Sequence, residues 1–174
     1  MNKFSTFLIL MMMSCGEQSS DSQTPVGDNQ DSSDTTSNTG GSTTDSVPTK
    51  EQITALIASG DYLTWSAEPA VHASTGPHGQ VRTFINDVLK TSQDNGNSTH
   101  TVGSIAVKEL YASDGVTLKG YAWEQKITSE SGKDSWLWYE DLNKETSSVD
   151  FYGVGITLCT GCHASGTDYV LTTL

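Results

Sequence analysis

Cys159-Thr160-Gly161-Cys162-His163 sets two thiols three positions apart and follows them at once with an imidazole. On a tight helical turn, thiols at that spacing reach the two vinyl groups of one porphyrin edge, and the next imidazole swings beneath the metal. This C-x-x-C-H pattern is the attachment motif of c-type haem. Gly161 keeps the approach between the thiols free of side-chain bulk. A thioredoxin-like dithiol would sit in a βαβ setting. A structural zinc site needs four ligands, and only one histidine follows the two thiols here. A haem-free envelope protein whose C-x-x-C forms a disulfide is the plain alternative. The motif predicts covalently attached haem c, with Cys159 and Cys162 as the attachment positions and His163 as the iron ligand.

The other side of the iron is the next question. Electron-transfer cytochromes complete their iron with methionine or a second histidine. The four methionines are Met1, Met11, Met12 and Met13, all inside an N-terminal leader, so the mature chain carries none. His72, His78 and His100 remain, in loop-like sequence, and each alone reads as an ordinary surface histidine. The residues point to iron held by His163 with its opposite face open to a small molecule. A six-coordinate electron carrier that uses one of these histidines as second ligand is the competing reading.

The elements that must position this motif are mostly strands. Thr49 and Gln52 stand three apart ahead of Ile53, Leu56 and Ile57, a capping box opening a short amphipathic helix that Gly60 ends. Residues 81–86 have strand composition, 87–92 allow one or two helical turns, and Asp94-Asn95-Gly96-Asn97 breaks the chain. Residues 104–111 and 116–127 read as strands joined at Asp114-Gly115, and Trp136-Leu137-Trp138-Tyr139 follows as an aromatic strand. The expected fold is mainly β: an antiparallel sheet of about four meandering strands with minor helices and a C-terminal haem-attachment turn. That pattern argues against a four-helix cytochrome c′. The tryptophans and Tyr121 and Tyr139 read as β-domain core in preference to a haem wall. Glu140 and Asp141 face opposite sides of a strand, one at a rim and one on the surface.

Residues 1–15 combine Lys3, an apolar run too short to span a bilayer and a final Ser14-Cys15. This resembles a lipoprotein-type signal peptide, with Cys15 acylated as the membrane anchor; a plain secretory signal is the alternative. Residues 16–49 hold 15 Ser/Thr, 6 Asp/Glu and no basic residue. Such a stretch buries too little apolar surface to offset its chain entropy, so 16–50 is expected to be a disordered linker. The folded domain is then 51–174. A formal net charge of −12 argues against nucleic acid as a partner, which would need a basic surface to displace phosphate counterions.

Val81-Arg82-Thr83, Val107-Lys108-Glu109-Leu110, Trp136-Leu137-Trp138-Tyr139 and the late C-x-x-C-H, in that order over about 81–163, resemble the cytochrome P-460 family, which includes the β-sheet cytochromes c′-beta. The resemblance implies an antiparallel sheet carrying c-type haem on a proximal histidine. P-460 members add a covalent bond from a lysine to the porphyrin and oxidise hydroxylamine; c′-beta members bind nitric oxide or carbon monoxide. Lys108 falls at the cross-linking lysine and Arg82 at an arginine on the distal side, where it would stabilise developing negative charge. The lipoprotein leader, the acidic linker and the short tail after the motif depart from better-known members, and no residue is assigned to the family's distal carboxylate. Ala106, Lys108 and Leu110 share a strand face, which would turn Lys108 inward, while Arg82 shares a face with Phe84. The expectation is an exported, lipid-anchored haem protein of the cell envelope, facing the periplasm or the cell exterior. It would bind or oxidise small nitrogen species, hydroxylamine or nitric oxide, and exchange electrons with a redox partner that the sequence does not identify. A homodimer stays open.

Overall fold

The computed structural model describes residues 47–146 and 148–174. The leader expected over 1–15, with its Cys15 anchor, and all but the last four residues of the linker expected over 16–50 lie outside the described residues.

Helix α1 (Lys50–Ser59) opens on the expected capping box: Gln52 N donates to Thr49 Oγ1 (3.3 Å), and Thr49 N donates to Gln52 Oε1 (2.7 Å). Ile53 and Ile57, one turn apart, are its buried residues, and Gly60 ends it in the left-handed conformation. Strands β1 (Ser66–Ala67), β2 (His72–Ala73) and β3 (Gln80–Ile85) follow. Helix α2 (Asp87–Asp94) leads to β4 (Ile105–Tyr111), β5 (Leu118–Lys126), β6 (Trp136–Asp141) and β7 (Phe151–Val154). A short helix α3 (Thr157–His163) carries the cysteine motif.

Strands β3 to β7 form an antiparallel meander, and β1 and β2 both pair with the outer side of β3. Among the described residues the fold is mainly antiparallel β with short helices, the class the sequence predicts. The sheet has seven strands where about four were expected. β1 and β2 are two residues each, too short to show a period of two, and Gly153 weakens the strand signal of β7.

Asn86 ties α2 to the sheet. Its Oδ1 accepts from Leu89 N (3.0 Å), capping the helix, and from Ile105 N (3.0 Å), while its Nδ2 donates to Gly103 O (2.8 Å).

Register decides which side chains meet. Ile85, Ala106, Glu124 and Trp138 form one cross-strand row over β3–β6, and Thr83, Lys108, Ala122 and Glu140 form the next row on the same face. The intervening residues, among them Arg82, Phe84, Val107, Trp123, Tyr139 and Asp141, point the other way. That second face is closed by Ile53 and Ile57 of α1 with Tyr62, which pack on Phe84, Val107, Trp123, Leu137 and Tyr139. The first face carries a separate core of Ile85, Leu89, Ala106, Trp136, Trp138 and Val170. Burying each large side chain of these clusters contributes roughly 1.5–3 kcal/mol.

Candidate haem site

On the face bearing Lys108, a cavity of about 350 Å³ is lined by residues of the sheet and of α3. Its wall includes Lys108 from β4, Glu124 from β5, Trp138 and Glu140 from β6, His78 ahead of β3, and Cys159, Cys162 and His163 from α3. Volumes of this order hold cofactor-sized molecules.

Helix α3 is a poor helix by its own residues. It is seven residues long, has no side-chain cap, and contains β-branched Thr157 and Thr160 and flexible Gly161. Tertiary contacts hold it instead. Thr160 and His163 are buried, and Ile156 and Cys159 pack on the second core. The chain enters α3 through Gly155 at φ 61, whose N–H donates to Trp136 O (3.0 Å). A side chain there would run into the Asp134 carboxylate. At Gly161 an added Cβ would meet nothing within 4 Å, so the gap between the two cysteines is open.

Cys159 and Cys162 are free thiols, the first half-buried and the second exposed. Burial pushes the Cys159 thiol up to about 11, and the nearby carboxylates of Glu140 and Glu124 push the same way.

The His163 ring is fixed from several sides. Its Nδ1 lies 2.9 Å from Tyr169 O and 3.0 Å from Glu124 Oε2, and its ring stands edge-on to Trp138 at a centroid distance of 4.7 Å. Both polar contacts engage Nδ1, which leaves Nε2 as the nitrogen for a ligand. Among the described residues, Glu124 Oε2 and Trp138 Nε1 are buried with no hydrogen-bond partner. The carboxylate oxygen is therefore within ion-pair distance of the imidazole but not aligned with its N–H, which the Tyr169 carbonyl takes.

Lys108 lines the cavity, half-buried, and makes no ion pair among the described residues. Arg82 does not join it. Thr83 pairs with Lys108, so the neighbouring Arg82 points to the opposite face. There its Nε donates to Glu68 O (2.9 Å) and its guanidinium lies 4.9 Å from the centroid of the Phe84 ring. The expected shared face with Phe84 is present, but it is the face closed by α1.

The three candidate second ligands separate cleanly. His72 is exposed and bonded to Ala73 O (2.9 Å) and Glu68 Oε2 (3.0 Å). His100 is buried, with Nδ1 3.0 Å from Ser92 Oγ, and does not line the cavity. His78 does line it, with Nδ1 2.9 Å from Glu140 Oε1. Sequence reasoning placed one of Glu140 and Asp141 at a rim without saying which, and gave no role to Glu124 or Tyr169. Only the strand register and the fold of residues 164–174 bring them to the motif.

No family model matches the chain, and no curated protein matches it either. The chemistry of the site rests on its own geometry. Among the described residues, no group of three or more His, Cys, Asp or Glu side chains is arranged to hold a bare metal ion. Haem c asks for something different: two thiols, one axial nitrogen and a slot in the fold. Cys159, Cys162, the free Nε2 of His163 and the cavity wall, with its orphaned Glu124 oxygen, fit that group.

Proposed function

We propose that this chain is an exported, lipid-anchored c-type haem protein of the cytochrome P-460 type that binds or oxidises small nitrogen species such as hydroxylamine or nitric oxide. The observation that carries the reading is the convergence of Cys159, Cys162, His163 and Lys108 on one cavity. The first three are adjacent in sequence, but Lys108 comes from another strand, and its arrival depends on the fold. The export signal and the Cys15 anchor are inferred from residues 1–15 and would place the domain in the cell envelope.

In this reading Cys159 and Cys162 would hold the haem by thioether bonds, and His163 Nε2 would bind its iron. When bound, the haem supplies a coordination position for a nitrogen ligand and a route by which its electrons leave. Every other role belongs to the chain. Tyr169 O holds the Nδ1 proton of His163 and so fixes the tautomer. Glu140 is the cavity carboxylate suited to accept a proton from a bound N–H or O–H donor. His78 holds its Oε1, which leaves Oε2 for the transfer. Lys108 is an amine in the same recessed wall, and no ion pair among the described residues holds it elsewhere. That environment supports its assignment as the lysine that bonds to the porphyrin. Arg82, behind the sheet, has no part in this scheme.

A six-coordinate electron carrier is the second reading, and it now rests on His78 alone, the one candidate histidine in the cavity wall.

The test is the optical spectrum of the protein produced with the cytochrome c maturation machinery. A strongly red-shifted ferrous Soret band, abolished in Lys108→Ala, is the expected result and directs the next assay to hydroxylamine. An ordinary five-coordinate high-spin spectrum moves the function to gas binding. A low-spin spectrum that becomes high-spin in His78→Ala favours the electron carrier, and a protein without covalent haem overturns the proposal.

A further inference from the structure

Glu124 stands in the cavity wall beside the proposed iron ligand and is used by nothing else in the scheme above. Its Oε2 lies 3.0 Å from Nδ1 of His163, its side chain is 10% exposed, and that oxygen has no hydrogen-bond partner among the described residues. Register explains its presence. Glu124 pairs with Ala106 on one side and Trp138 on the other, so its neighbours in the row offer a methyl group and an indole ring. The Trp138 Nε1–H is itself unpaired in the structure, so it is not spent on the carboxylate. Lys126, one position along the same face, directs its ammonium to Asp168, Ser135 and the Glu130 carbonyl. A buried acceptor with no donor of its own is costly to keep unless a neighbour repays it. The group it meets is the His163 imidazole, whose Nδ1–H is turned to Tyr169 O.

That arrangement has a consequence for iron. Carboxylates that take the outer N–H of a ligating histidine fix its orientation and raise its basicity as a ligand. A neutral carbonyl such as Tyr169 O does the first and only weakly the second. From this we infer that Glu124 is a positioning residue for the haem: its carboxylate charge, 3.0 Å from Nδ1 of His163, makes the imidazole a stronger donor and favours the ferric form. The inference rests on the proposed haem site and adds to it a residue that sets the redox poise. Glu124 therefore bears on whether the resting iron is ferric or ferrous and on how readily it accepts electrons.

The experiment uses the full-length haem-loaded protein. Haem content, from the pyridine haemochrome spectrum of wild type and Glu124→Gln, comes first; a wild type without covalent haem overturns the site itself. With haem present in both, the midpoint potential and the ferrous iron–histidine stretching band are measured. Glu124→Gln keeps the shape but removes the charge. It is expected to shift the ferric/ferrous equilibrium at least tenfold toward ferrous, about 59 mV for a one-electron couple, and to move the stretching band to lower frequency. Glu140→Gln removes a carboxylate from the same cavity without touching His163, so its stretching band should stay at the wild-type position. An unchanged band in Glu124→Gln, or equal band shifts in both variants, overturns the inference while leaving the haem reading intact. If Glu124→Gln does not fold, the wild-type band decides alone. A position typical of a strongly hydrogen-bonded, imidazolate-like ligand supports the inference, and the position of a neutral imidazole overturns it.

Discussion

Lys126 shows how single residues hold the segment that follows the motif. The side chain is fully buried, and its ammonium spends its three donors on Asp168 Oδ2 (2.7 Å), Ser135 Oγ (2.9 Å) and Glu130 O (2.7 Å). Asp168 Oδ2 also accepts from His100 N (2.9 Å). Asp168 and its neighbour Tyr169 both have positive φ, 44° and 72°, a conformation that costs a non-glycine residue roughly 1–2 kcal/mol. The buried pair offsets that strain and sets the carbonyl that meets His163. Removing one partner of a buried pair leaves an uncompensated charge, so Asp168→Asn should cost about 3–5 kcal/mol in urea unfolding. A loss under about 1 kcal/mol would mean that water reaches Lys126. At this scale the sequence was half legible. The cysteine motif is local, and its spacing reveals it; Glu124 and Tyr169 gain their relation to His163 only through register and a returning loop, which no spacing records.

Among the elements, signals that sit in a few adjacent residues were readable. The capping box at Thr49 and Gln52, the turn at Asp114-Gly115 and the aromatic strand β6 all appear where the residue types place them. The faces were harder. Alternation groups Ala106 with Lys108 and Arg82 with Phe84, but whether the two groups share a side depends on how β3 pairs with β4. A shift of one residue would have brought Arg82 to the cavity. The entry to α3 is the element most exposed to a single change, because Gly155 combines positive φ with the nearby Asp134 carboxylate. Gly155→Ala should destabilise the domain by about 1–3 kcal/mol. Its thermal midpoint should fall, and a midpoint equal to wild type would show that Asp134 swings aside and the turn relaxes freely.

Over the whole molecule, buried titratable groups tie stability to pH. Burial pushes His100 below its ordinary value, the Asp168 and Glu124 carboxylates raise it in part, and Lys126 adds to the lowering. The folded protein then binds this proton less readily than the unfolded chain. Stability from this group is present above about pH 6.5 and is lost as pH falls from there toward the folded value. His72, exposed and raised by the Ala73 carbonyl and Glu68, opposes the effect weakly. The thermal midpoint should drop between pH 7.5 and pH 5.5, and His100→Gln should flatten the drop; an identical slope in the variant would assign it elsewhere. The sheet adds a consequence of another kind. It stands between two cores that share no side chain: α1 packs on one, and the cavity opens mainly on the other, though Trp123 and Tyr139 of the first also border it. Changes in the separate clusters, such as Ile57 and Val170, should combine almost additively when they lie far apart and share no partners. For an evolving lineage that separation is freedom. The cavity wall can be rewritten from one ligand chemistry to another while the far side of the sheet keeps the protein folded.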